Sequence, residues 1–267
     1  MNIISLGPTE LALASLLIIA LAVISIIQKL GLAQKLLIAA VRTAIQLTLV
    51  GFILKALFEA SDLLWISVVA FIMLSIAGRE VMSRQERRFS GIWGFGIGTT
   101  SMFLSSFIIT LIALHFIVTP TPWYTPQYAI PMLGMMLGNT MNSISLGLDK
   151  LTHEAWREKG TIEARLLMGH SWQEAILPFR RAAIRTSMIP TINAMAAAGL
   201  VSLPGMMTGQ ILAGNPPHVA VKYQILIMFM ITAGAGFGAM LATWLGAKRL
   251  FDDRHRLRLD RLHPPQS

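Results

Sequence analysis

The stretch GIWGFGIGTTSMFLSSFIITLIALHFIV, from Gly91 to Val118, decides the class of fold. It contains no Asp, Glu, Lys or Arg and exceeds the ~20 residues a helix needs to cross a ~30 Å hydrocarbon core. Working outward, similar runs lie on both sides. Thr9–Ile27, Leu36–Leu57 and Leu63–Ala77 come before it, and Tyr128–Leu148, Met188–Ala213 and Val221–Gly246 after it. The expectation is an all-α membrane protein with about seven transmembrane helices. The third run is short, with Arg79 placed to snorkel from its end. The sixth carries Pro190, Asn193, Pro204 and Gly205, which predict a broken or re-entrant element. The first lacks a basic leader and a small-residue cleavage site before Gln28, so it reads as a span and not as a signal peptide.

Composition agrees. Of 267 residues, 54% are hydrophobic and 13% charged, against ~25% charged in a soluble domain. Mean hydropathy is +0.63. The absence of cysteine excludes a disulfide framework, a Cys-ligated zinc site and a thiolate iron–sulfur cluster in this chain. The net charge of +9 would suggest nucleic acid for a soluble protein. In a membrane protein the same charge reports orientation, and no nucleic-acid partner is expected.

All of the 22 Lys and Arg residues except Arg42, Lys55 and Lys222 fall in four segments. These follow runs one, three, five and seven, so seven crossings bring them to one face. The segments before run one and at 119–127 and 214–220 contain neither Lys nor Arg. By the positive-inside rule the amino terminus is outside and the carboxyl terminus cytoplasmic. Trp65, Trp123, Tyr124, Tyr128 and Tyr223 then sit at the outer boundary, with Trp93 and Trp244 at the inner one. The organisation expected is helices one to five over 1–148, a cytoplasmic coupling loop over 149–187, helices six and seven over 188–246, and a basic cytoplasmic tail over 247–267. Because lipid is as apolar as leucine, spans associate through small residues. Gly94 with Gly98, Gly134 with Gly138, and the stripe Gly234, Gly238, Ala242 and Gly246 are candidate seams, within one chain or between two.

The 149–187 loop reads as a helix pair. Gly169 can end the first helix, Ser171 with Glu174 can cap the second, and Pro178 is expected beyond its end. Leu166, Leu167, Trp172, Ile176 and Leu177 give the pair an apolar face, suited to lipid or to a groove on another protein. Glu163, Ala164 and Arg165, with Gly169 and Pro178, resemble the Glu-Ala-Ala coupling motif by which ABC importer permeases hold their ATPases. The likeness departs from that motif at Arg165 and in a shorter interval to Pro178.

The chain as a whole resembles the iron-export permeases of bacterial ABC systems and their plant aluminium-tolerance relatives. The blocks that carry the likeness are PMLGMMLGNTMNSISLGLD (131–149), IPTIN (189–193) and GLVSLPGMMTGQ (199–210). The resemblance implies the permease subunit of an ABC transporter in a bacterial inner membrane. It also implies a permease homodimer in lipid, an ATP-binding ABC subunit that holds ATP and Mg, and iron export supporting resistance to oxidative stress. No Gly-x-x-x-x-Gly-Lys-Ser/Thr loop occurs in the sequence, so the chain is not expected to be an enzyme or to hold a cofactor of its own.

For the translocation pathway, Met132, Met136, Asn139 and Ser143 fall along one face of a helix, with Met135 and Asn142 beside it. Met132, Met136, Asn139 and Asn142 are the candidate metal contacts, although thioether and amide are not the ligands Fe(II) favours. A transporter needs weak, transient contacts. The other reading of this face is flexible packing by Met and helix ties by Asn, and both stay open. Asn193 and Gln210 flank the Pro204-Gly205 break and join Ser143 as pathway candidates. Asp149, read as the inner end of the fifth helix, would oppose the helix dipole and take a partner such as Lys150 or Arg181, or meet substrate. Rival readings are an ABC permease for another metal or a nucleotide sugar, a secondary transporter, and a membrane scaffold. No clear repeat and no mid-span carboxylate supports the secondary transporter.

Overall fold

A computed structural model of the chain describes residues 7–60 and 62–264. Helix dominates, and no strand occurs among the described residues. Two units emerge. The first is a hairpin of α1 (Pro8–Ile27) and α2 (Ala33–Ala60). Pro8 opens α1, and the Glu10 carboxylate accepts the Gly7 N–H at 2.8 Å. Lys29 and Gly31, both left-handed at φ 54° and 68°, turn the chain. Ser25 Oγ accepts the Leu32 N–H across that turn. Nearly all the Leu, Ile and Val side chains of the hairpin are exposed, the pattern of helices whose solvent is hydrocarbon.

The second unit holds α3 (Leu63–Ser83), α4 (Ile92–Val118), α5 (Pro126–Arg157), α6 (Lys159–Leu167), α7 (Trp172–Ala197), α8 (Gly205–Leu212) and α9 (Pro217–Arg249). α5 is central, and α3, α4, α7 and α9 all pack on it. Small residues set the spacing. A β-carbon on Gly238 would lie 2.6 Å from Thr140 Cγ2 and 3.0 Å from Ser105 Oγ, and one on Gly234 would strike the Met136 methyl. Gly246 faces Leu148 and Leu151. The stripe in α9 is therefore a seam inside one chain. Gly98 against Val81, and Gly78 against Thr99, make a second seam between α3 and α4. Gly134 meets Met73, whereas Gly138 has nothing within 4 Å.

α4 widens into π-type turns at Phe103–Phe107 and Ala113–Val118. Within the first, Ser105 is directed at Gly238, and Ser106 Oγ donates to Thr140 Oγ1 at 3.2 Å. This is the interhelical hydroxyl contact expected where lipid offers no partner.

Among the described residues five helices are long and apolar enough to cross a membrane: α1, α2, α3, α4 and α9. The other two expected spans take different forms. α5 is more polar and runs for 32 residues, about 48 Å at 1.5 Å per residue. The sixth is broken as its prolines and glycines predict. Helix stops at Ala197, Gly199 turns at φ 81°, and helix resumes at Gly205.

Several expectations need correction. α3 continues past Ala77 to Ser83, so Arg79 and Glu80 are helical. α5 does not end near Asp149, which lies two turns inside it, because Leu148, Leu151 and Ala155 keep a helical face in the core. Pro178 does not close a short second helix. It sits inside α7, whose Ala175, Ile176 and Ala183 are buried on either side of it. That packing offsets the one missing amide donor. The basic tail is folded. Leu250, Phe251 and Leu262 belong to the core, and Leu262 bridges Phe89.

Candidate functional site

Two places in the second unit collect the functional candidates. One is the α6–α7 turn. Lys159–Leu167 is a short helix anchored by Ile162, which is fully buried. It ends as the Met168 N–H reaches Ala164 O and Gly169 adopts φ 90°, a conformation that suits glycine. Ser171 then caps α7. Its hydroxyl accepts the Glu174 N–H at 3.4 Å, while the Glu174 carboxylate accepts the Ser171 N–H at 2.8 Å. This is the reciprocal box expected from the sequence.

The expected apolar face divides. Ile162, Ala175 and Ile176 are spent on the protein's own core, with Leu166 and Trp172 packed against it. Leu167 and Met168, at 89% and 70% exposure, project from the tip of the turn. Glu163, Ala164, Gly169 and Pro178 are exposed and Arg165 half-buried. Glu163 makes only a loose pair with Lys159 at 3.7 Å. The chemistry is an apolar knob in a charged rim, ended by a turn that fixes its direction.

The other place is α5 and its neighbours, where the sequence-derived face separates. Met132, Met136 and Ser143 are buried. Met136 faces Gly234. Asn139 is half-buried, and its Nδ2 donates to Met135 O on its own helix at 2.8 Å. Asn142 is exposed, and its Oδ1 accepts from Arg84 Nη1 at 2.6 Å. Asp149 accepts the Glu86 N–H at 2.8 Å, so its partner is the α3–α4 connection and not Lys150 or Arg181. Lys150 pairs with Glu154 instead.

Asn193 is exposed on α7. Gln210 is half-buried on α8, its Oε1 enclosed with no hydrogen-bond partner. Among the described residues no group of three His, Asp or Glu side chains gathers as a metal site. Trp93 and Trp244, placed at the inner boundary by the sequence, lie beneath Arg249 and Lys248 at 4.7 and 5.6 Å. Sequence reasoning missed Thr140, Arg84 and the tail residues around Phe251 and His255. For the last, the apolar residues Phe251, Leu257, Leu259 and Leu262 interspersed among the arginines were the available signal.

A family model described as "Uncharacterised protein family (UPF0014)" matches residues 8–251. "UPF0014 membrane protein slr1647" of a Synechocystis strain is 41% identical over 230 residues, 86% of this chain and 88% of that protein. "Probable iron export permease protein FetB" of Escherichia coli K12 is 33% identical over 264 residues, 96% of this chain and 97% of its own length. "Protein ALUMINUM SENSITIVE 3" of Arabidopsis thaliana is 30% identical over 246 residues, covering 91% and 88%. No solved structure matches.

Proposed function

The chain belongs to the UPF0014 family, and on that premise we propose that it is the permease of an ABC transporter. In this reading it exports iron from a bacterial cytoplasm across the inner membrane, and the loss of iron supports resistance to oxidative stress. The single observation that carries the ABC reading is the α6–α7 turn, whose Leu167 and Met168 stand clear of the core in a charged rim. A separate ATP-binding subunit, carrying the phosphate loop this sequence lacks, receives that knob in a groove. ATP and Mg are held there, and this chain performs no hydrolysis.

The same reading sets seven crossings, supplied by the five apolar helices together with α5 and the broken α7–α8 element. The amino terminus is outside and the basic side cytoplasmic. Asn193 is exposed on α7. An amide is costly to leave facing hydrocarbon, which supports a second copy of the chain against this helix and a polar pathway between the two. Iron as cargo comes from the relative named for iron export. Asn139, Asn142, Asn193, Gln210 and Ser143 would offer it weak, passing oxygen contacts, and Met132 and Met136 would shape the wall behind them.

The test is ATPase stimulation in lipid. The tagged chain and the ATP-binding subunit recovered with it are reconstituted and titrated anaerobically with Fe(II), Mn(II), Zn(II) and a nucleotide sugar. Selective stimulation by Fe(II), reduced by Asn139→Ala, is expected. Stimulation by the sugar alone removes iron as cargo. Recovery of no ATP-binding subunit removes the ABC reading.

A further inference from the structure

The last stretch of the chain holds together three elements that are far apart in sequence. Its root is pinned to the end of α9, where Arg261 Nη1 donates to Arg249 O at 2.8 Å and to Phe251 O at 3.1 Å. Its far end pairs with the α3–α4 connection. Ser90 N–H donates to Arg261 O at 2.8 Å, and His263 N–H to Arg88 O at 2.9 Å. Between these anchors a tight turn forms on Asp252, whose carboxylate accepts the N–H groups of Arg254 and Arg256 and the Arg256 guanidinium. That turn sets His255 in the left-handed region at φ 58°. From there its Nδ1 accepts the Trp172 N–H at 3.2 Å. The Phe251 and Trp172 rings lie 5.7 Å apart beside this bond.

The Trp172 N–H belongs to the first turn of α7, where no carbonyl within the helix is available to it. The Ser171–Glu174 box satisfies other donors there, and the tail supplies this one. We propose that His255 is a positioning residue that seats the start of α7, and with it the α6–α7 turn, on the end of α9. A displacement of Leu167 and Met168 then passes through the first turn of α7 into the tail. From the tail it reaches α9, whose glycine stripe is packed on α5, and the α3–α4 connection. This inference rests on the reading of the turn as an ATPase dock, and it concerns how the push is transmitted after docking. Without the His255 bond the knob still binds, ATP is still hydrolysed, and transport per ATP falls.

The experiment uses the full chain with its ATP-binding subunit in vesicles and compares wild type with His255→Ala, His255→Gly and His255→Asn. Gly removes the acceptor while relieving the left-handed backbone. Asn tolerates that backbone and restores an acceptor oxygen. Binding of the ATP-binding subunit, ATPase rate and Fe(II) moved per ATP are measured, with amide exchange at Trp172 as a readout independent of transport. Ala and Gly are expected to bind the subunit as wild type does. Their Trp172 amide should exchange about fivefold faster, the fold-change of one ordinary hydrogen bond, and transport per ATP should fall with it, while Asn restores both. Wild-type transport per ATP in Ala and Gly, or an Asn variant as uncoupled as Ala, overturns the inference and leaves the permease reading intact. A wild-type chain that recruits no ATP-binding subunit overturns the permease reading, and this inference with it.

Discussion

Truncating Leu167 separates docking from folding. Its side chain is 89% exposed and outside the core cluster, so Leu167→Ala removes almost nothing the isolated chain uses. A groove that buries it on a partner gains about 1.5–3 kcal/mol from that side chain. Truncation leaves the β-carbon in place, so the expected loss is about 1.5–2.5 kcal/mol, or roughly 10- to 60-fold in Kd. Met168, 70% exposed, sits one residue on, and Met168→Ala should weaken binding by a smaller factor. Ile162 is the control. It is fully buried on the same short helix, and Ile162→Ala should cost about 2–5 kcal/mol of stability. The assay is titration of the ATP-binding subunit onto this chain in nanodiscs, with the melting temperature of the chain measured in parallel. A Kd within twofold of wild type for both Leu167→Ala and Met168→Ala, with tight wild-type binding, refutes the assignment of the knob.

Other perturbations read the fold that presents this turn. Gly238→Val pushes side-chain carbon into Thr140 and Ser105 across the α5–α9 seam and should destabilise by about 1–3 kcal/mol. Gly138→Ala, with nothing within 4 Å, should leave the melting temperature in detergent unchanged. Ser171→Ala removes the cap of α7 and should cost about 1 kcal/mol, seen as faster amide exchange over the first turn of that helix. Hydrogen bonds from the N–H and guanidinium groups of Arg256 and the N–H of Arg254 hold the Asp252 carboxyl at about 2, below its ordinary 3.8. A carboxylate lowered in this way stabilises the folded turn above the ordinary value and loses that effect as pH falls through the lowered one. The hold of the Asp252 carboxylate on the Arg254 and Arg256 amides should therefore be unchanged between pH 8 and pH 5, and Asp252→Asn should loosen those amides at neutral pH.

How far the sequence carried depended on which solvent decided each segment. α1 to α4 and α9 are apolar runs set by lipid, so composition and length suffice to find them. The break after Ala197 was legible in Pro204, Gly205 and Gly199, residues that act on the local backbone. The end of α5 was not, since a span counted by hydrocarbon thickness stops at Leu148 while the helix continues into a protein core through Leu151 and Ala155. Pro178 misled for a related reason, because the buried Ala175, Ile176 and Ala183 keep α7 continuous through it. The α6–α7 turn was legible through Gly169 and the Ser171–Glu174 box, both local. Which apolar residues of that turn would stay outside was not, because the choice between Ile176 and Leu167 is made by tertiary packing. In α5, spacing alone could not tell Met136, which fills the space over Gly234, from Asn142, which meets Arg84 from the α3–α4 connection.

The most direct measurement uses the absence of cysteine from the chain. A single cysteine at Met168, and in a second protein at Leu200 on the exposed α7–α8 connection, carries a short cross-linker in native membranes with the ATP-binding subunit present. Met168→Cys is expected to cross-link to that subunit, with a yield that changes when ATP is added, and Leu200→Cys is expected not to. Cross-linking from residue 200 but not from 168, or from neither while the subunit remains bound, would contradict docking at the α6–α7 turn.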